Sequence, residues 1–128
     1  MDRIAFIIDS SEVDRILVYT ALTKSRAYQE IITVTDPEVG YKEYCHVLNE
    51  GASNIDVFIK ASQPILNGFE YAERLQKFPR VIRDRCSIYI VAGTIPDEYG
   101  KEEGVLPDWL KRNSVVKKIV SLPFTWPL

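Results

Sequence analysis

Apolar residues along this chain follow two rhythms: short unbroken runs of strand length, and longer stretches where they recur every third or fourth position. "RIAFII", Arg3 to Ile8, is a run of the first kind and predicts a strand covered on both faces, as in a parallel sheet. A helix is expected next, with Val13, Ile16, Leu17, Thr20 and Ala21 as its apolar stripe and with Ser11, three before Asp14, resembling a capping box. "EIITVT", Glu30 to Thr35, is rich in β-branched residues. Asp36-Pro37 then supplies an N-cap with proline at the first helical position, and Tyr41, Tyr44, Cys45 and Leu48 form a stripe ending near Gly51. "IDVFI" predicts the third strand; Asn67-Gly68 leads into a helix that carries Phe69, Ala72 and Leu75 and stops before Pro79. "SIYIVA", Ser87 to Ala92, and "VVKKIV", Val115 to Val120, give the fourth and fifth strands.

Alternating strands and helices imply an α/β fold with a parallel sheet, right-handed crossovers and helices on both faces. In such sheets a site forms outside the carboxyl ends of the strands. That rule selects Asp9 and Ser10 after the first strand, Lys60 after the third, Ala92 to Thr94 after the fourth, and Ser121, Leu122 and Pro123 after the fifth.

Length and charge narrow the classes. The 128 residues suit one domain, 1–128, and a net charge of -2 with interspersed signs argues against a nucleic-acid binder. No apolar run approaches the ~18 residues of a membrane span, and "MDRIAFIID" is too short for a signal peptide, so a cytoplasmic location with no membrane partner is expected. Cys45 and Cys86 lack CxxC spacing, and the only histidine, His46, has no other ligands at metal spacing. A Cys45-His46 nucleophile is disfavoured because neighbours on a helix point about 100° apart, so a core role suits Cys45 better. "DSSEVD" lacks the glycines of a phosphate loop, and helix capping explains it.

Four segments in order resemble the receiver domain of two-component response regulators. "IIDSSEVDRILVYTAL" is similar to the family's opening, where an aspartate pair ends the first strand, and "IKASQPILNGFEYAERL" to its third strand and following loop, where the phospho-accepting aspartate stands four residues before a proline. "IYIVAGTIPDE" resembles the fourth strand, which normally ends in Thr or Ser, and "VVKKIVSLPFT" the fifth, which ordinarily ends in Lys-Pro. The resemblance runs from Arg3 to about Thr125 and implies a flavodoxin-like (CheY-like) three-layer fold, its five-stranded parallel sheet ordered 2-1-3-4-5. It also implies phosphoryl transfer from a histidine kinase to an aspartate, with Mg²⁺ held by acidic side chains. Here the acceptor position is Lys60, the second acidic position Ser10, the Thr/Ser position Ala92 and the Lys position Leu122, followed by Pro123; only Asp9 is retained. Ile119 takes the position of the family's switch aromatic.

Lysine cannot form an acyl phosphate, and one carboxylate is a poor Mg²⁺ site, so no cofactor is expected and Mg²⁺ binding should be weak or absent. An ammonium at the end of a central strand needs a partner or loses its proton. Asp9 is the expected partner, the ammonium standing roughly where the metal would sit. The alternatives are a Lys60 that snorkels to solvent and a nucleophilic, Schiff-base lysine for which no activating group is evident.

Two departures concern architecture. The 29 residues between Ala92 and Leu122 enlarge the fourth connection, and its glycines and prolines leave room only for a short helix near Pro107 to Arg112, with Trp109 and Leu110 inward. After Pro123 only "FTWPL" remains, so the fifth helix should be short or absent and one flank of the sheet bare. Phe124, Trp126 and Leu128 folding back, a second copy of the chain, or further residues would cover it; self-association or an interaction surface is the expectation.

The sequence thus predicts a non-enzymatic, receiver-like signalling module that works through contacts with a histidine kinase or an output partner, with a homodimer through the flank lacking a fifth helix as a further expectation. A phosphorelay receiver with a non-standard acceptor is the second reading; Asp56, Asp14 and Glu12 are available, with Asp56 at the far end of its strand. The third is a flavodoxin-like protein that binds a small molecule or nucleotide.

Overall fold

The computed structural model describes residues 3–51, 54–60, 68–91, 115–120, 122 and 126. The elements run β1 (Arg3–Ile8), α1 (Glu12–Ser25), β2 (Glu30–Val34), α2 (Pro37–Asn49), β3 (Asn54–Lys60), α3 (Gly68–Gln76), α4 (Arg80–Arg83), β4 (Cys86–Val91) and β5 (Val116–Val120). The strands form one parallel sheet in the order β2-β1-β3-β4-β5, as expected, with β1, β3 and β4 inside and β2 and β5 at its edges. Strand boundaries fall within a residue of the sequence expectation, because near-continuous apolar runs fit only strands buried on two faces.

Two apolar layers sandwich the sheet. On one face Phe6, Ile8, Val57, Ile59, Ile88, Ile90 and Ile119 pack with Tyr44 of α2 and Phe69, Ala72 and Leu75 of α3. On the other, Ala5, Ile7, Phe58, Val91 and Val120 pack with Val18 and Leu22 of α1, and with Leu122 and Trp126. Alternation along each strand sends successive side chains to opposite layers.

The caps are where the sequence put them. Asp36 accepts from the amides of Glu38 (2.8 Å) and Val39 (3.3 Å), with Pro37 opening α2. Ser11 Oγ accepts from the Asp14 amide at 3.4 Å. Gly68 begins α3 so near the sheet that a Cβ there would lie 3.1 Å from the Lys60 carbonyl oxygen and 3.2 Å from Ile90. Gly68 therefore meets a close-packing requirement at the start of the helix, while Asn67 lies outside the described residues. The single-turn α4 was not foreseen; it lies between Pro79 and Asp84, and the Arg85 carbonyl just after it accepts from Ile55 at 2.9 Å.

One expectation is overturned. The stripe assigned to α1 does not face the core: Val13 and Ile16 are 67% and 55% exposed, and Thr20 is exposed as well. The helix instead buries Asp14, Val18 and Leu22, spaced i, i+4 and i+8, with Leu17 and Ala21 at the margin. This is a rotation of about one residue, or 100°, from the predicted face. Its cause is the polar contact that Asp14 makes at the end of β3, described below.

The face of the sheet beside α1 is covered in part by the chain itself. Trp126 is buried and packs edge-on against Phe58 (centroids 5.0 Å apart) and Tyr89 (4.9 Å), and stacks on Tyr28 at 6.2 Å. Folding back is thus observed for Trp126; Phe124, Leu128, the enlarged fourth connection and its expected helix lie outside the described residues. Among the described residues no helix is long and apolar enough to cross a membrane.

Truncating a buried tryptophan costs about 3 kcal/mol or more. Trp126→Ala should lower the unfolding free energy by that order in urea titrations monitored by circular dichroism. A loss below about 1 kcal/mol, the scale of surface substitutions, would show that this face does not depend on this side chain.

Candidate functional site

β1, β3 and α1 converge at the carboxyl end of the sheet and bring three charged side chains together. Asp9 follows β1 and is only 2% exposed. Its Oδ1 accepts from the Ser11 amide at 2.8 Å, an arrangement that ties the β1-α1 turn, and its backbone carbonyl accepts from Arg15 Nη1 at 3.0 Å. Its other oxygen, Oδ2, is buried and has no hydrogen-bond partner among the described residues. Lys60 ends β3, and its ammonium donates to Asp14 Oδ2 in an ion pair, the two side chains being 17% and 8% exposed.

The expected partner of Lys60 was Asp9; the bonded partner is Asp14. Asp9 has one oxygen committed to the turn, while the rotation of α1 aims Asp14 at the strand end. Asp9 still feels the lysine: burial pushes its carboxyl above the ordinary value, and the Ser11 amide, the Lys60 charge and the Arg15 charge pull it part of the way back. The snorkelling alternative also fails, since the amine is largely covered and ion-paired.

The remaining candidate positions are placed as follows. Ser10 is exposed; Leu122 is buried in the α1-side layer; Ala92 and Pro123 lie outside the described residues. Leu122 therefore presents hydrocarbon where the resemblance implies an ammonium, and the ammonium comes from Lys60 instead. Sequence reasoning named Asp14 in the cap of the first helix and as an available phospho-acceptor, and missed it as the partner of Lys60; Arg15 it did not name. The available signal was their position in the first turn of a helix that starts at the sheet's carboxyl end, but the apolar periodicity counted Asp14 as surface.

Asp56 lies on the same face of β3 as Lys60, four residues earlier and so roughly 13 Å away. It is buried and held by the Tyr28 hydroxyl at 2.6 Å and by Arg3 Nη2 at 3.4 Å. Burial and this hydrogen bond push the Tyr28 hydroxyl far above its usual range, so it donates and does not ionise. The thiols sit away from the carboxyl ends of the strands: Cys45 lies in α2 and Cys86 opens β4 at its amino end. Burial raises both; Cys45 is partly covered beside Tyr41, while Cys86 takes part in a hydrogen bond with the Tyr44 hydroxyl and donates to the Ile82 carbonyl at 3.2 Å. His46 pairs with Glu50 on the surface of α2 at 2.7 Å, not with Cys45.

Mg²⁺ favours octahedral oxygen coordination through carboxylates. The donor set here does not fit it: Asp14 is committed to Lys60, Asp9 offers one free oxygen, and an ammonium occupies the same neighbourhood. Among the described residues no group of three or more His, Cys, Asp and Glu could hold a metal ion.

No family model matches the chain, and comparison with curated proteins finds no match. Solved structures do match. A two-component response regulator from Cytophaga hutchinsonii superposes with a TM-score of 0.76 at 17% identity, over 97% of this chain and 88% of that one. A response regulator receiver protein from Dyadobacter fermentans gives 0.72 at 16%, over 98% and 90%. The chemotaxis response regulator CheY4 of Vibrio cholerae gives 0.64 at 15%, over 98% and 90%. The chain has the receiver fold. In this fold Lys60 ends the third strand, at the position the sequence resemblance matched to the phospho-accepting aspartate, and Asp14 comes from the helix that follows the first strand.

The contacts rank the pocket residues. Lys60→Met strands two buried carboxylates, Asp9 and Asp14, without an ammonium, and removing one member of a buried pair costs about 3 kcal/mol or more. Asp14→Asn should cost less, about 1 kcal/mol, because the Asp9 charge remains beside Lys60 to compensate it. Denaturant unfolding of both variants near neutral pH checks the order, and an Asp14→Asn variant less stable than Lys60→Met contradicts the arrangement.

Proposed function

We propose that this chain is a non-enzymatic receiver-fold signalling module of a two-component network. On this reading its phosphorylation pocket is fixed in one electrostatic state, and it acts through protein contacts with a histidine kinase or an output partner. The observation that carries the reading is the Lys60–Asp14 ion pair at the carboxyl end of β3. The fold supports the signalling class, since the matching structures are two-component response regulators and a chemotaxis regulator.

The chemistry supports loss of the switch. A lysine Nζ already bound to a carboxylate offers no oxygen for an acyl phosphate, and its positive charge takes the place that a divalent cation would need to fill. On this reading Mg²⁺ binds weakly or not at all. The ion pair also locks α1 to β3, so the surface offered to partners does not depend on phosphate. The other carboxylates are poorly placed as acceptors: Asp14 is held by Lys60, and Asp56 is buried between Tyr28 and Arg3.

Incubation with acetyl phosphate and Mg²⁺, followed by intact-protein mass spectrometry, should show no added phosphoryl group. A base-labile phosphoryl adduct on Asp9, Asp14, Asp56 or Glu12 would instead establish a phosphorelay receiver with a non-standard acceptor.

A further inference from the structure

The rotation that turns Asp14 inward turns an apolar strip outward. Val13, Ile16 and Tyr19 are 67%, 55% and 44% exposed along one side of α1. Ile16 and Tyr19, with Arg15 beside them, line a groove with Ile31 and Thr33 of β2, so the middle of the helix stands level with the middle of that strand. β2 is an outer strand of the sheet. Within Glu30–Val34 the only charge is at the first residue, and there is no proline or lysine, so the middle of this strand carries none of the side chains that keep edge strands from pairing.

We infer that this surface is the interface of a two-fold symmetric homodimer. β2 pairs antiparallel with β2 of a second copy about an axis near Ile32, and the two α1 helices pack antiparallel on one face of the joined sheet. Identical strands paired antiparallel about their midpoint are related by a two-fold axis, the symmetry of an isologous interface. Each Ile31 then lies opposite Thr33 of the other copy, and the grooves merge beneath the apolar strips.

The charges on α1 select a second copy as the occupant. Glu12 stands in its first turn and Lys24 in its last, and both are exposed. Their midpoint is Val18, at the level of the groove formed by Ile16 and Tyr19. An axis through that level therefore sets each Glu12 beside Lys24 of the second copy while strand pairs with strand. A parallel alignment would set Glu12 against Glu12 and Lys24 against Lys24. The inference does not depend on the signalling role, and it uses the β2 edge, not the packing of Trp126.

Sedimentation velocity of the full chain across a concentration series tests it, with circular dichroism confirming the fold of each variant. The wild-type chain should form dimers, and Ile16→Lys, at an exposed site, should weaken the dimer at least about tenfold. Glu12→Lys or Lys24→Glu alone should weaken it several-fold, and the double reversal should restore it, because each charge then meets its opposite again. A wild-type chain that is monomeric at the highest concentration reached overturns the inference and leaves the strip to a different partner. A dimer that withstands Ile16→Lys and both single reversals also overturns it, placing self-association on another face.

Discussion

The ammonium of Lys60 ends a strand that is flanked on both sides by other strands and covered on both faces, where an uncompensated charge is costly. It has to meet a carboxylate, and the geometry of that meeting propagates outward. Asp14 can reach it only if α1 turns its first-turn acid toward the sheet, which places Val18 and Leu22 one and two turns further along in the core. Helix orientation, inner packing and exposed surface are therefore linked through one ion pair. A buried pair of this kind is weak evidence for net stability, since well-packed apolar residues can replace it. What it supplies is a fixed rotation of α1.

The same face of β3 shows a second polar solution at its other end. Asp56 is anchored by Tyr28 and Arg3, and between the two sites Phe58 carries the aromatic packing of Tyr28, Tyr89 and Trp126. The α1-side layer thus contains a polar clamp at each end and aromatic rings between them. Trp126 belongs to that layer, so a residue far along the chain completes packing that starts at β1. The receiver fold here carries an ion-paired lysine at the carboxyl end of its third strand.

Much of the fold was legible because apolar runs such as "RIAFII" and "IDVFI" fit only doubly covered strands, and because Asp36-Pro37 marks a helix start unambiguously. The rotation of α1 was not. Two overlapping apolar stripes, through Val13 and Ile16 or through Val18 and Leu22, both satisfy a 3.6-residue period, and the choice between them is made by Asp14, a residue that periodicity counts as surface. The need to neutralise Lys60 could be read from its place at the end of a central strand. Its partner could not, because strand-end convergence nominates Asp9 whereas the contact depends on a helix rotation. Asp9 retains its place beside the lysine but gives one oxygen to the Ser11 amide. Trp126 was one of several ways to cover the flank, and only the three-dimensional packing against Phe58 and Tyr89 distinguishes it.

The claim on which the rest depends is that the Lys60 ammonium is sequestered against Asp14. Nitrogen-15 NMR of the lysine side chains reports it directly: a covered, ion-paired ammonium exchanges its protons slowly and gives a signal that solvent-exposed lysines lose. The Lys60 signal should be visible in the wild-type protein near neutral pH and should broaden or shift in Asp14→Asn. A Lys60 ammonium that exchanges as fast as the surface lysines, unaffected by Asp14→Asn, would contradict the account.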